Sequence, residues 1–504
     1  MEPRFLDAVR AAFPGGAGAL TLGAPVLKGE CQPEPLVGLP LGMMNRHGLI
    51  AGATGTGKTK TLQLLAEQLS NAGVPVFLAD VKGDLSGLGV GGEESDKVRQ
   101  RARDTGFPWK GAAFPVEFLS LTGARGAQVR AAVSSFGPLL LAKVLGLNET
   151  QGSVLAMVFK YADDRKLELV DFADLRAVLR HLSEDGAAEL KDYGGMSKAT
   201  VGVLLREMVE LEQQGALAFF GEPELELADL MQVERDGRGL VSVLELTDVQ
   251  DRPALFSTFM MWMLARLHGE LPEVGDPEKP KLVFFFDEAH LLFDGASKAF
   301  LDQVQQVVRL IRSKGVGVFF VTQSPRDIPA DVLGQLGHKV QHALRAFTPD
   351  DAAALKAAAR TFPKTEFYDI EETLQSLGIG EALVTVLGPN GVPTPPVATR
   401  LIPPASRMGP LDEAVLQQRI AGSALARKYR EAVNPESAEE KLARATPPAG
   451  EAAGEVPARG RAVKEPPSLI EQVLKSPVTR TVAGQITRGL MGALLGAPPR
   501  RRRY

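Results

Sequence analysis

Residues Gly52–Thr59 read Gly-Ala-Thr-Gly-Thr-Gly-Lys-Thr, and every fixed position of a phosphate-binding loop is filled. The loop follows the apolar run Gly48–Ala51 and opens a helical pattern over residues 60–67. In that setting the backbone N–H groups of Gly52, Ala53, Thr54, Gly55, Thr56, Gly57, Lys58, Thr59 and Lys60 can converge on a polyphosphate. Lys58 then falls beside the β and γ oxygens, and the Thr59 hydroxyl is left for Mg2+. The expected ligand is a nucleoside triphosphate, read as ATP, together with Mg2+.

A second element supplies acids. The run Leu282–Phe286 reads as a buried strand followed by Asp287-Glu288-Ala289-His290, so both carboxylates emerge at a strand C-terminus, where sheet ligands bind. As in P-loop ATPases generally, Asp287 is expected in the Mg2+ shell and Glu288 beside the attacking water; the alternative is a cap for the next helix. A third strand, around residues 316–321, is followed by Gln323, which reads equally as a γ-phosphate sensor or as a turn residue before Pro325. Arg309 and Arg312 either share one functional face or complement a helix C-terminus. Asp80, Lys82 and Asp84 follow another strand, and a site role and simple loop solvation fit them equally. His290 has no partner at a zinc-like spacing, so no structural metal is expected.

Positioning these groups takes a sheet. Near-continuous apolar runs at 74–79, 240–246, 282–286, 316–321 and 382–387 fit strands buried on both faces. Helical periodicity separates several of them, at 254–268, 298–313 and 350–359. The expectation is an α/β protein with a doubly wound, mostly parallel sheet built from residues 48–88 and 240–405. Between 89 and 239 strand signals nearly vanish and helical patterns take over, which predicts a large, mostly helical insertion. Residues 1–47 read as a short N-terminal segment, 406–444 as a helical extension, 445–467 as a flexible linker and 468–504 as a basic amphipathic tail. The tail either docks on another subunit or a membrane surface, or packs on its own core.

The whole chain sets outer bounds. Its 504 residues suggest two or three domains, and 44% hydrophobic with 23% charged residues is a soluble globular composition. A net charge of −4 names no nucleic-acid partner by itself. The single cysteine, Cys31, cannot form an intrachain disulfide. No basic leader with an apolar core opens the chain, and no stretch of about 18 residues is apolar enough to span a bilayer. A cytoplasmic protein without an integral membrane segment is expected.

Taken in order, these elements resemble the HerA branch of the HerA/FtsK ATPases over most of residues 40–405. More narrowly, residues 45–59, Asp80-Val81-Lys82-Gly83-Asp84-Leu85-Ser86-Gly87, residues 286–293 and residues 309–317 resemble the bacterial HerA-like proteins of the YjgR type. The resemblance implies a RecA-like core, ATP hydrolysis and a homohexameric ring with nucleotide between neighbouring subunits. It gives phosphate and Mg2+ binding to Lys58 and Thr59, metal and water to Asp287 and Glu288, and γ-phosphate sensing to Gln323. Arg312 matches the family's arginine after the Walker B helix, Arg46 stands where a neighbour-reaching arginine is expected, and Arg345 is the second choice for that finger. Two uses remain open: a motor that moves duplex DNA, and an ATP-driven switch or assembly factor acting on an unknown protein partner.

Overall fold

The structure, a computed structural model, describes residues 3–445 apart from 14, 16–17, 295–297 and 389. Apart from Ala445, the expected linker and tail lie outside the described residues. The strands are β1 (Ala19–Leu27), β2 (Glu30–Cys31), β3 (Val37–Pro40), β4 (Gly48–Ala51), β5 (Val76–Asp80), β6 (Val116–Ser120), β7 (Ala127–Gln128), β8 (Val241–Glu245), β9 (Leu282–Phe286), β10 (Val316–Thr322), β11 (His338–His342), β12 (Glu381–Thr385) and β13 (Val397–Leu401). All join one sheet in the order β2-β1-β13-β12-β11-β4-β10-β9-β5-β8-β6-β7, with β3 paired to β1. From β11 to β7 every pairing is parallel. The flank of β12, β13 and β1 is antiparallel.

The central strands are buried on both faces, which is why they read as unbroken apolar runs. Ile50, Leu78, Phe285 and Val321 pack on one side with Leu62, Leu65 and Leu69 of the helix Lys58–Asn71. Leu49, Phe77, Phe284, Phe286 and Phe320 face the opposite core. That second core also contains Leu141, Leu155, Leu179, Leu204 and Phe219. Helices between residues 133 and 219 therefore share one core with this face of the sheet rather than standing apart from it, together with the helices Pro253–Glu270 and Lys298–Ile311.

Strand structure persists in this region as well. β6 pairs with β8 and carries β7 beyond it, extending the parallel sheet. Its sequence, Val-Glu-Phe-Leu-Ser, breaks the apolar run with Glu117 and Ser120, so the pattern hides a strand that lies near the sheet's edge. The long helices here start where local chemistry says they should. Asn148 and Gln151 exchange side-chain and backbone hydrogen bonds in a capping box before Glu149–Asp164, and Asp171 with Asp174 does the same before Phe172–Ser183.

Phe219 is fully buried and meets the rings of Phe136, Phe220, Phe259 and Trp262 at 5.3–6.2 Å. Truncation to alanine removes this junction between the helical region and the helix Pro253–Glu270, at a cost of about 3–5 kcal/mol. Calorimetry of Phe219→Ala is expected to show the transition of the described unit moving down as a whole. A separate low-temperature transition, with the main one unmoved, would show the helical region to be an independent domain.

Candidate active site

Parallel pairing brings the ends of four strands to one edge. Thr322 pairs with Ala51, Phe320 with Phe286, and Ala79 with Phe286. Gly52 thus follows β4, Gln323 follows β10, Asp287 follows β9 and Asp80 ends β5, all on the C-terminal edge. The loop after β4 is pinned on both flanks: the Gly52 N–H donates to Thr322 O at 3.2 Å, and the Ala53 N–H to Ala343 O at 2.9 Å. Gly52 leaves the strand at φ 156°, and a Cβ there would stand 2.5 Å from the Cβ of His342. Gly57, at φ 118°, turns the chain into the helix. Thr54 and Gly55 at the crest are exposed, while Thr59 and Lys60 lie in the half-buried first turn.

Lys58 is buried and closes the loop on itself, its ammonium donating to Gly52 O at 2.7 Å and Ala53 O at 3.2 Å. Burial holds its pKa below the ordinary lysine value. Both carbonyl contacts are ones a phosphate oxygen can replace.

The acids opposite are under-satisfied. Asp287 is buried with no hydrogen bond to Oδ2, and burial, then the Glu288 charge, pushes its carboxyl up to about 7. Asp80 is likewise raised to about 7, by burial and then Glu245, against N–H donors from Gly83 and Leu85 at 2.8 Å each. Asp80, Asp84 and Asp287 bring one carboxylate oxygen each within 4.8 Å of one another. An all-oxygen set with an orphaned buried member suits a hard divalent cation such as Mg2+.

Glu288 is a non-glycine residue at φ 48°, a strained conformation of the kind held at functional sites. The Lys82 ammonium forms an ion pair with its Oε1 and His290 Nδ1 lies 3.2 Å from Oε2, yet neither oxygen receives a well-directed hydrogen bond. Burial works to raise this carboxyl, and Lys82 overrides it, leaving the pKa low and the group ionised. Lys82 is thus a site residue rather than loop solvation. Gln323 is exposed at the same edge, directly after the carbonyl that holds Gly52.

Arg46 and Arg312 lie elsewhere. Arg46 precedes β4 and Arg312 precedes β10, which sets both on the N-terminal edge of the sheet, away from the loop. There they share Asp276, at 2.8 Å from Arg46 and 3.6 Å from Arg312. Arg46 is the more enclosed of the two, at 15% side-chain exposure against 44%. Arg345 hydrogen-bonds Gln375 O beyond β11.

Sequence reasoning missed three participants. His342 lies beneath the loop, its Nε2 2.8 Å from the Thr61 hydroxyl and its pKa lowered by burial to about 4. Asp276 holds both arginines, and Arg101 holds the loop at 379–380 beside Gly57. None carries a motif, since each depends on segments more than 200 residues apart.

Raised carboxyls have a consequence for pH. With Asp80 and Asp287 near 7 against a usual value of 3.8, the folded chain keeps protons that the unfolded chain has released. The penalty is absent below about pH 4, grows as pH rises, and is complete above about pH 7. Metal-free protein is therefore expected to lose thermal stability between about pH 4 and pH 7, and Asp287→Asn to lose less of it. Parallel melting curves for the two proteins would contradict this assignment.

Comparison with known proteins agrees with this geometry. The family model described as Helicase HerA-like C-terminal matches residues 26–465. The DNA double-strand break repair helicase HerA of Saccharolobus solfataricus is 21% identical over 351 residues, which are 69% of this chain and 63% of that protein. The probable helicase MJECL08 of Methanocaldococcus jannaschii is 29% identical over 154 residues, 29% of this chain and 28% of that one. The chain thus spans less than two thirds of the length of either relative. Among solved structures, the bacterial conjugative coupling protein TrwBdeltaN70 aligns with a TM-score of 0.50 at 14% identity, covering 80% of this chain and 94% of that one, a likeness of fold. The phosphate loop, the acidic strand end and the family match over most of the chain agree: this protein belongs to the helicase HerA-like C-terminal family.

Proposed function

We propose that the chain hydrolyses ATP with Mg2+ as a homohexameric ring and uses that hydrolysis to move duplex DNA through the ring. The observation that carries the ATPase reading is the pairing, at one sheet edge, of a complete phosphate loop with the donor-poor carboxylates of Asp287 and Glu288. Thr59 and Asp287 would hold Mg2+, with Asp80 and Asp84 close enough to Asp287 to anchor its water shell. When bound, the ion neutralises charge on the β and γ oxygens.

The protein's own residues supply the rest. Lys58 exchanges its two loop carbonyls for phosphate oxygens, a transfer that also relieves a buried ammonium. Glu288, kept ionised by Lys82, orients the attacking water and takes up its proton. Gln323, directly after β10, the strand between β4 and β9, meets the γ end of the nucleotide. Arg312, and Arg46 behind it, reach a neighbour's site across the ring, which their position at the opposite sheet edge favours over any role in their own.

DNA as the cargo is supported by the relative described as a DNA double-strand break repair helicase. A cytoplasmic location belongs to the same reading. Among the described residues no helix is long and apolar enough to cross a membrane.

The test is steady-state ATPase activity of the wild type and Glu288→Gln, each with and without duplex DNA, with particle mass measured by light scattering. Expected are a hexamer-sized particle, turnover that rises with DNA, and a loss of about 10²-fold or more in Glu288→Gln with nucleotide binding retained. Turnover indifferent to DNA would remove the motor and leave the switch acting on protein partners. No turnover under any condition would overturn the ATPase reading.

A further inference from the structure

A cavity of about 310 Å3 opens beside the phosphate loop, within the size range of small-molecule sites. Its near wall is Gly57, Lys60 and Thr61, the exit of the loop and the first turn of its helix. Its far wall comes from the helix Asp96–Thr105, through Val98 and Arg101, and its rim from Ile379 and Met408. The walls are tied to the loop itself. The Gly380 N–H donates to Thr56 O at 2.9 Å, and Arg101 donates to Ile379 O at 2.8 Å and Gly380 O at 3.2 Å.

Strand order fixes what can enter. The acids that mark the γ end of a bound polyphosphate follow β9 and β5, on one side of β4. The cavity lies on the other side, toward β12 and β13, since Gly380 precedes β12 and Leu401 ends β13. A nucleotide laid over the loop with its γ-phosphate toward Glu288 must direct its sugar and base toward this cavity. We propose, resting on the nucleotide reading above, that the cavity between the helix Asp96–Thr105 and the loop at 379–380 receives the nucleobase, holds it by apolar contact, and accepts adenine and guanine nearly alike.

The weak discrimination follows from the lining. Leu64, Val98, Leu401 and Ile402 offer no hydrogen bonds from their side chains; of the polar lining, Ser95 accepts from the Val98 N–H, Lys60 donates to Gln63 Oε1, and Lys97 is exposed to solvent. The Arg101 guanidinium is directed at two backbone carbonyls, and the Thr61 hydroxyl is engaged with His342 and Gly57 O. Pockets of this kind distinguish ligands by size and shape, whereas strong rejection requires buried polar groups that the wrong ligand leaves unpaired. The base would also cover Ile379, whose 72% exposure is otherwise unexplained for a large aliphatic side chain.

The test uses calorimetric titration of the full chain with Mg-ATP, Mg-GTP and Mg-tripolyphosphate, the last carrying the phosphates without a base. Ile379→Ser is an exposed substitution that spares the fold, and Met408→Trp fills the cavity from its partly exposed rim. Expected are wild-type dissociation constants for ATP and GTP within about 10-fold of each other, both weakened about 10-fold by Ile379→Ser and more by Met408→Trp, with tripolyphosphate unchanged. Unchanged nucleotide affinity in both variants, or equal weakening of tripolyphosphate, would overturn the pocket assignment. A wild-type preference for one purine above about 100-fold would overturn the apolar recognition. If the wild type binds neither nucleotide nor tripolyphosphate, the phosphate loop assignment fails and the base pocket with it.

Discussion

Two backbone hydrogen bonds hold the site together: Gly52 N–H to the carbonyl ending β10, and Ala53 N–H to the carbonyl just past β11. Because β4 lies between those strands in a parallel sheet, its loop emerges beside both of their C-terminal ends and close to that of β9. The phenylalanines of β9 and β10 pack ring on ring across the sheet, at 5.1 Å for Phe285 with Phe319 and 5.7 Å for Phe286 with Phe320, and fix that register from both faces. A one-residue slip would turn every side chain to the other face and carry the carboxylates out of line with the loop.

The site is set at an electrostatic cost. Asp80 and Asp287 are buried with raised pKa values, Lys58 is buried with a lowered one, and Glu288 sits in a left-handed backbone conformation. The buried charges are unfavourable in the free chain, and a cation on the carboxylates or a phosphate on Lys58 would relieve them. Lys82 offsets the Glu288 charge while staying partly exposed itself.

Much of this was legible in the sequence, and the parts that were not have physical reasons. The loop Gly52–Thr59 and the run Leu282–Phe286 with its two acids declare themselves, because a glycine-rich phosphate cradle and a strand buried on both faces leave little freedom in residue choice. β11 did not, because His-Lys-Val-Gln-His alternates polar side chains that the fold turns to local use: His342 under the loop, and His338 against Met43 O at 2.7 Å. The region 89–239 reads as almost wholly helical in sequence because its helices are periodic and its strand β6 is not continuously apolar. That the helices roof the sheet depends on contacts such as those of Phe219, which no local pattern encodes. His342, Arg101 and Asp276 became visible only through long-range partners.

On the proposed function, the separation of Arg46 and Arg312 from the loop means that one chain does not hold a complete catalytic site. The direct measurement is ATP turnover per chain across a dilution series that spans assembly, repeated for an equimolar mixture of Lys58→Ala and Arg312→Ala subunits. Expected are turnover that climbs with assembly and a mixture more active than either variant alone, because some interfaces then join an intact loop to an intact arginine. Turnover per chain that stays constant down to the monomer, or a mixture no more active than its parts, would contradict it.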